Sequence, residues 1–227
     1  MSYNGAVIRE KTMEIYLDTA DAKKIEEYCK SYPLAGFTCN PTLVSASNQT
    51  VEDLMKLAIG KNVFVQSIAM DCEGIIADAK KLKEIREDAY IKIPCTPEGY
   101  KAMHVLKQQG YKILATAIYT VGQALMAAAC NVDYVAPYVN RMSDTEVDGC
   151  DLVEDIICAF ASQRITTKVI AASFKNLNQV VRLLVSGVDA VTVPIDIFEK
   201  LINNKLTNDA VDVFSNQWEG RFNKKML

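Results

Sequence analysis

Residues 90–110 read YIKIPCTPEGYKAMHVLKQQG, and their order of signals decides the fold. Tyr90–Ile93 is a short run of aromatic and β-branched residues, the composition of a buried strand. Thr96 stands where a helix N-cap is expected, and Pro97 suits a first helical turn. An amphipathic helix over Pro97–Gln109 follows, and Gly110 supplies the stop. The stretch is one β/α unit.

The same unit recurs along the chain. Further strands are expected at Glu14–Asp18, Ala35–Thr38, Val63–Ile68, Ile113–Ala117, Tyr134–Tyr138, Lys168–Ala172 and Ala190–Val193. The remaining helical patterns are Ala22–Ser31, Val51–Gly60, Cys72–Glu87, Val121–Cys130, Leu152–Ser162, Leu177–Ser186 and Ile195–Asn203. Asp21 and Thr50 are further N-caps, and Gly60 and Gly187 further stops. Strands that alternate with helices form parallel sheets, and eight such units fit a closed barrel better than an open sheet. The fold class is therefore α/β, a single (β/α)8 TIM barrel, with an additional C-terminal helix at about Asp209–Phe222. No linker or low-complexity segment divides the 227 residues. One domain over 13–227 is expected, with the polar residues 1–12 as an extension.

Half of the residues are apolar and the net charge is −3, which gives no electrostatic footprint for nucleic acid. No apolar run reaches the roughly 18 residues of a membrane span, and the N-terminus lacks the apolar core of a signal peptide. The seven cysteines, at 29, 39, 72, 95, 130, 150 and 158, form no CxxC pair. They are expected as reduced, mostly buried thiols in a cytoplasmic protein, without a metal knuckle or disulfide framework. His104 is the only histidine, too few for a Ser–His triad or a His-rich metal site, and is assigned to helix packing or surface. The run Lys80-Lys81-Leu82-Lys83-Glu84 with Arg86-Glu87-Asp88 reads as an exposed helix face. Asp144-Thr145-Glu146-Val147-Asp148-Gly149 half-matches a calcium loop, but its third position and Asp155 at its end fit poorly. It is read as a solvated acidic loop.

Chemistry enters with Lys92. Ile91 and Ile93 share the outward face of their strand, so Lys92 points into the barrel. A buried lysine is costly unless paired or neutral; burial favours the neutral amine, the nucleophile that imine formation requires. The structural alternative is a buried Lys–Asp ion pair. Other strand ends carry polar residues that converge on the same mouth: Asp18, Thr38 and Asn40, Gln66, Thr116, Tyr138, and Ser173 with Lys175 beyond. Arg141, Ser173 and Lys175 would form an anion pocket. Asp18 can accept a proton from a substrate hydroxyl, while Tyr138, Gln66 and Thr116 can hold a relaying water.

The stretches Tyr16-Leu17-Asp18-Thr19, Pro33 to Pro41 (PLAGFTCNP), Ile91-Lys92-Ile93-Pro94, Ala115-Thr116-Ala117-Ile118-Tyr119, Tyr134 to Arg141 (YVAPYVNR) and Ala171-Ala172-Ser173-Phe174-Lys175 resemble the small transaldolase-like family, and within it the fructose-6-phosphate aldolases. The likeness runs from Met13 to about Phe222. It implies a class I mechanism free of metal and cofactor, with Lys92 as the Schiff-base lysine, Asp18 and Asn40 on substrate hydroxyls and the amine, and Arg141 and Ser173 on phosphate. True transaldolases of the family place glutamate and phenylalanine where Gln66 and Tyr138 stand here. A tyrosine hydroxyl can protonate an enamine and phenylalanine cannot, so the aldolase subgroup is expected. Asn140 also departs from the glycine usual in small transaldolases. Cys39 replaces a common threonine, which is expected to affect reactivity toward thiol reagents and to spare the mechanism. Ser67 replaces an apolar residue, with no assigned effect.

The expected reaction is reversible cleavage of fructose 6-phosphate to dihydroxyacetone and glyceraldehyde 3-phosphate. The alternatives are a transaldolase moving a dihydroxyacetone unit between sugar phosphates, and a barrel that binds sugar phosphates without catalysis. The resemblance also implies a homo-oligomer, a ring-like pentamer or decamer. The helix that carries Trp218 and Phe222 is compatible with packing on a neighbour, and its alternative is to cap its own barrel.

Overall fold

The computed structural model describes residues 13–140 and 148–227. Eight parallel strands close into a barrel in sequence order, with β8 pairing back onto β1. They are β1 (Glu14–Asp18), β2 (Gly36–Thr38), β3 (Asn62–Gln66), β4 (Tyr90–Pro94), β5 (Ile113–Ile118), β6 (Tyr134–Pro137), β7 (Lys168–Ala171) and β8 (Ala190–Val193). The described helices are α1 (Ala22–Ser31), α2 (Pro41–Ser45), α3 (Val51–Met55), α4 (Cys72–Ile85), α5 (Pro97–Gln108), α6 (Val121–Ala129), α7 (Gly149–Gln163), α8 (Leu177–Val185), α9 (Ile195–Ile202) and α10 (Lys205–Phe222). The expected TIM barrel is the observed one.

Side-chain alternation sorts each strand into two packing layers. Leu17, Phe37, Val65, Ile91, Ile93, Val135 and Val191 face outward and are buried against the helices. Tyr16, Phe64, Leu114, Tyr134 and Ile170 fill the interior. There Phe64 stacks on Tyr90 with ring centroids 4.6 Å apart and meets Tyr16 edge-on at 5.1 Å. The N-terminal end is sealed by Glu14, which accepts hydrogen bonds from Tyr16, Tyr134 and Lys168. The aromatic plug and this polar seal leave only the C-terminal end for a ligand.

Two element boundaries differ from the sequence expectation because of a hydrogen bond from another element. The helix expected over Val51–Gly60 stops at Met55. Arg86, on the run read as a solvated face, is in fact buried, and its guanidinium donates to the carbonyl oxygens of Met55, Leu57 and Lys61. Those carbonyls are thereby withdrawn from helix propagation. The strand expected to reach Ile68 ends at Gln66, because the Asp78 carboxylate takes the next two free amides, those of Ile68 and Ala69. The short helix α2 was not expected; Asn40 caps it by accepting from the Leu43 amide, and Pro41 occupies its first turn.

The C-terminal helix starts at Lys205 rather than Asp209, because Asn204 caps the Leu206 amide. It buries none of its residues, so within one chain it does not cap the barrel. Helix α7 starts at Gly149 rather than Leu152, where Asp148 accepts from the Cys150 amide. Residues 144–147 of the half-matched calcium loop lie outside the described residues; its Asp148 accepts from Arg182 as well as from the Cys150 amide. His104 is exposed. All seven cysteines are unpaired thiols. Among the described residues, no group of three or more His, Cys, Asp or Glu could hold a metal, and no helix is long and apolar enough to cross a membrane.

Candidate active site

Lys92 sits at the third position of β4, 5% exposed, with its side chain in the barrel mouth. Ile91 and Ile93 anchor the strand outward, and Pro94 ends it. The first turn of α5 presses directly on that end: a Cβ on Gly99 would fall 2.0 Å from the Pro94 carbonyl oxygen, a position only glycine can fill. No hydrogen bond or ion pair from the described residues engages the Lys92 amine. The alternative of a structural Lys–Asp pair is not what the barrel contains.

The amine opens into a small enclosed cavity of about 70 Å3. Its walls are chemically divided. Thr192 of β8, Asp18 of β1, and Thr38 with Asn40 on and after β2 form one contiguous polar side. Leu114 of β5, Ala136 of β6 and Ala172 after β7 form an apolar side, and Tyr138 and Ser173 complete the lining. Such a wall division suits a ligand with hydroxyls on one edge and carbon on the other.

The polar side is wired in one direction. Thr38 Oγ1 lies 2.8 Å from Asp18 Oδ1 and 2.7 Å from Thr192 Oγ1, and Thr38 is fully buried. A hydroxyl has one proton to give; a carboxylate can only accept, so Thr38 donates to Asp18 and Thr192 donates to Thr38. Asn40 uses Oδ1 for the α2 cap, which leaves its Nδ2 as a donor for a ligand oxygen.

On the other side, Thr116 Oγ1 donates to the Tyr138 hydroxyl at 3.2 Å. The hydroxyl that Thr116 supports belongs to a side chain lining the cavity. The ring of Tyr138 is held edge-on by Tyr119 at 5.6 Å. Thr116 is placed by an irregularity in β5, where the register shifts between Ala115 and Ile118 and Ala117 takes a left-handed φ of 56°. Ser173 is also left-handed, at φ 64°, and its carbonyl accepts from the Asn140 amide. Left-handed backbone at two non-glycine residues flanking one cavity is the kind of local strain that concentrates at functional sites.

Asp18, Thr38, Asn40, Lys92, Tyr138 and Ser173 therefore converge on one cavity, with Thr116 joined through Tyr138. Gln66 is paired in register with Lys92 and shares its inward phase, but stands beside the cavity rather than in its wall. Lys175 is exposed, two residues past Ser173, and does not line the cavity. Arg141 lies outside the described residues. Thr192 was missed from sequence; the signal was a hydroxyl at an inward position of Ala190-Val191-Thr192-Val193, hidden by threonine's ordinary place in strands. Cys39 is a correction. It faces the helix layer, fully buried, and burial pushes its thiol up to about 11, so it is inert rather than reactive.

The profile of the family described as transaldolase/fructose-6-phosphate aldolase matches residues 15–226. The chain belongs to that family. A relative described as a probable fructose-6-phosphate aldolase, from Streptococcus pneumoniae (strain ATCC 700669 / Spain 23F-1), is 40% identical over 214 residues, covering 91% of this chain and 96% of the relative. Among solved structures, a double mutant of flavocytochrome b2 with pyruvate bound aligns at a TM-score of 0.60 and 11% identity, over 79% of this chain and 56% of that one. A mandelate oxidase variant aligns at a TM-score of 0.56 and 14% identity, over 80% of this chain and 64% of that one. The chain thus spans little more than half the length of these flavoenzymes, and the likeness to them is one of barrel fold.

Proposed function

We propose that this member of the transaldolase/fructose-6-phosphate aldolase family is a class I aldolase, cleaving fructose 6-phosphate reversibly to dihydroxyacetone and glyceraldehyde 3-phosphate through a Schiff base on Lys92. The observation that carries the reading is a buried amine without an ion-pair partner, set between a hydroxyl-binding wall and a phenol. The relative's description supports the same reaction.

In this reading the Lys92 amine adds to the C2 carbonyl and expels water to form the iminium. Asp18 takes the C4 hydroxyl proton as the C3–C4 bond breaks; its electrons flow to the iminium nitrogen, leaving an enamine. Glyceraldehyde 3-phosphate leaves. Tyr138, with Thr116 and Gln66 positioning a water, delivers a proton to C3, and hydrolysis of the resulting iminium releases dihydroxyacetone. The cavity takes the carbonyl end of the ketose beside Lys92, and the phosphorylated end extends out past Ser173, with Lys175 and Arg141 proposed as cations for the phosphate.

Fructose 6-phosphate supplied without an aldehyde acceptor is the test. Free dihydroxyacetone is expected, together with borohydride-trapped mass that is lost in Lys92→Met. Turnover that begins only after erythrose 4-phosphate is added would make the chain a transaldolase. Absence of any substrate-dependent mass on the wild type would leave a binding barrel. The proposal includes a homo-oligomer, a pentamer or decamer, supported by the exposed Phe214 and Phe222 on a helix that buries nothing in its own chain; light scattering reads its number. A cytoplasmic setting is in keeping with seven unpaired thiols.

A further inference from the structure

Beyond Gln66, β3 leaves the sheet, and its last tie to β4 is a single hydrogen bond from the Ser67 amide to the Lys92 carbonyl oxygen, 3.0 Å. What fixes the chain there comes from outside the barrel. Asp78, in the middle of α4, accepts three hydrogen bonds on one carboxylate oxygen: from Ser67 Oγ at 2.9 Å, the Ile68 amide at 2.9 Å and the Ala69 amide at 3.0 Å. Ser67 is 3% exposed and so belongs to the interior, whereas Ile68 is 72% exposed and Met70 88%. No packing holds the turn at those residues. Burial pushes the Asp78 carboxyl up, but the donors outweigh burial and hold it below the usual carboxylate range, as a permanently charged clamp requires.

Ser67 thus joins two systems. Its hydroxyl reaches the clamp, its amide reaches the Lys92 backbone, and its peptide neighbour is Gln66, which shares the inward phase of Lys92. We propose that Asp78 is a positioning residue for the catalytic pair: through Ser67 and the two following amides it sets where the Gln66 side chain stands relative to the Lys92 amine. A side chain on the outer helix layer, remote from the cavity wall, then controls proton delivery within it. Small displacements of a positioning group cost disproportionately in rate, and without the carboxylate the turn keeps only the Ser67–Lys92 backbone bond and the partial packing of Ala69 against the core.

The catalytic part of this inference rests on the aldolase reading above; the clamp itself does not, and the experiment separates them. Hydrogen exchange over residues 62–70, without substrate, reads the clamp. Asp78→Ala is expected to speed exchange at Ser67, Ile68 and Ala69, and unchanged protection there overturns the inference whatever the enzyme's activity. Acceptor-free cleavage then reads the consequence. Asp78→Ala is expected to lower kcat about tenfold with little change in KM, and Asp78→Asn, which keeps an acceptor oxygen, to recover most of it. In a Gln66→Ala background the same substitution is expected to cost less than about twofold, because residues acting through one another are not additive. An equal loss in both backgrounds would show a diffuse structural effect and overturn the positioning role, as would an unchanged kcat. If Asp78→Ala fails to fold, Ser67→Ala removes one donor alone; a kcat fall of about threefold, restored by Ser67→Thr, is then the expected result, and no fall overturns it. A wild type that releases no dihydroxyacetone and traps no Schiff base defeats the aldolase reading, while the exchange result still decides the clamp.

Discussion

Replacing Thr38 by valine keeps the shape of the side chain and deletes the hydroxyl that joins Asp18 to Thr192. Two costs follow. The hydrogen bond to a carboxylate contributes about 1.5–3 kcal/mol, and because Asp18 is only partly buried the lower end of that range applies. Thr192, 3% exposed, loses its acceptor, which adds about 1 kcal/mol for a neutral group left unpaired. The expected loss is therefore about 2–3 kcal/mol. For a domain of this size that corresponds to a fall in Tm of about 5–10 °C, compared at one protein concentration because oligomers shift with concentration. Asp18 also loses its orientation, so kcat for acceptor-free cleavage should fall about tenfold. Thr192→Val makes the comparison sharp. It removes only the far end of the relay and leaves Thr38 donating to Asp18, so about 1 kcal/mol and a kcat within about threefold of wild type are expected. The assay is cleavage kinetics beside calorimetry for both variants. An equal kcat loss in the two, or wild-type turnover in Thr38→Val, would refute the direction assigned to the relay.

Tyr138→Phe removes the phenol that Thr116 supports; acceptor-free release of dihydroxyacetone should drop while transfer to an added aldose phosphate persists, and unchanged release would count against the enamine-protonation role. Ala117→Gly relieves a left-handed alanine that costs about 1–2 kcal/mol, partly offset by about 0.4–1 kcal/mol of unfolded-chain entropy, so Tm should rise by a few degrees at most; a fall would mean the methyl is needed where it is. Hydrogen bonds from Lys168, Tyr16 and Tyr134 outweigh burial and hold the Glu14 carboxyl below its ordinary value of 4.5. Its folded pKa is depressed, so its stabilisation is present above about 4.5 and lost as pH falls through the folded value. The Tm gap between wild type and Glu14→Gln should then be widest near neutrality and close in acid, and a gap independent of pH would contradict this. A thiol reagent applied to the native protein should modify exposed Cys158 first and leave buried Cys39 untouched; mass mapping that finds Cys39 among the early products would overturn its assignment as inert.

Much of the barrel was written locally. The strands alternate outward apolar residues such as Ile91 and Ile93 with inward ones, and the caps at Asp21, Thr50 and Thr96 lie where expected. Periodicity and caps depend on residues within one turn or strand, so they can be read in order along the chain. The inward phase of Lys92 and the strand-end positions of Asp18, Thr38, Asn40, Tyr138 and Ser173 follow from the same alternation and need only the barrel to bring them together.

What the tertiary structure alone decided are the contacts between elements far apart in sequence. Thr192 reaches Thr38 across 154 positions, because closing the barrel makes β8 a neighbour of β1. Arg86 truncates α3, and Asp78 ends β3 and grips Ser67; each was indistinguishable in sequence from an ordinary surface charge on its helix. A charged side chain carries no local mark of what it will meet across the packed layer. Lys92 announced itself because a lysine between two isoleucines in a strand is costly wherever the rest of the chain goes, but which hydroxyls face it and what holds its neighbours in place were settled only by closure of the barrel.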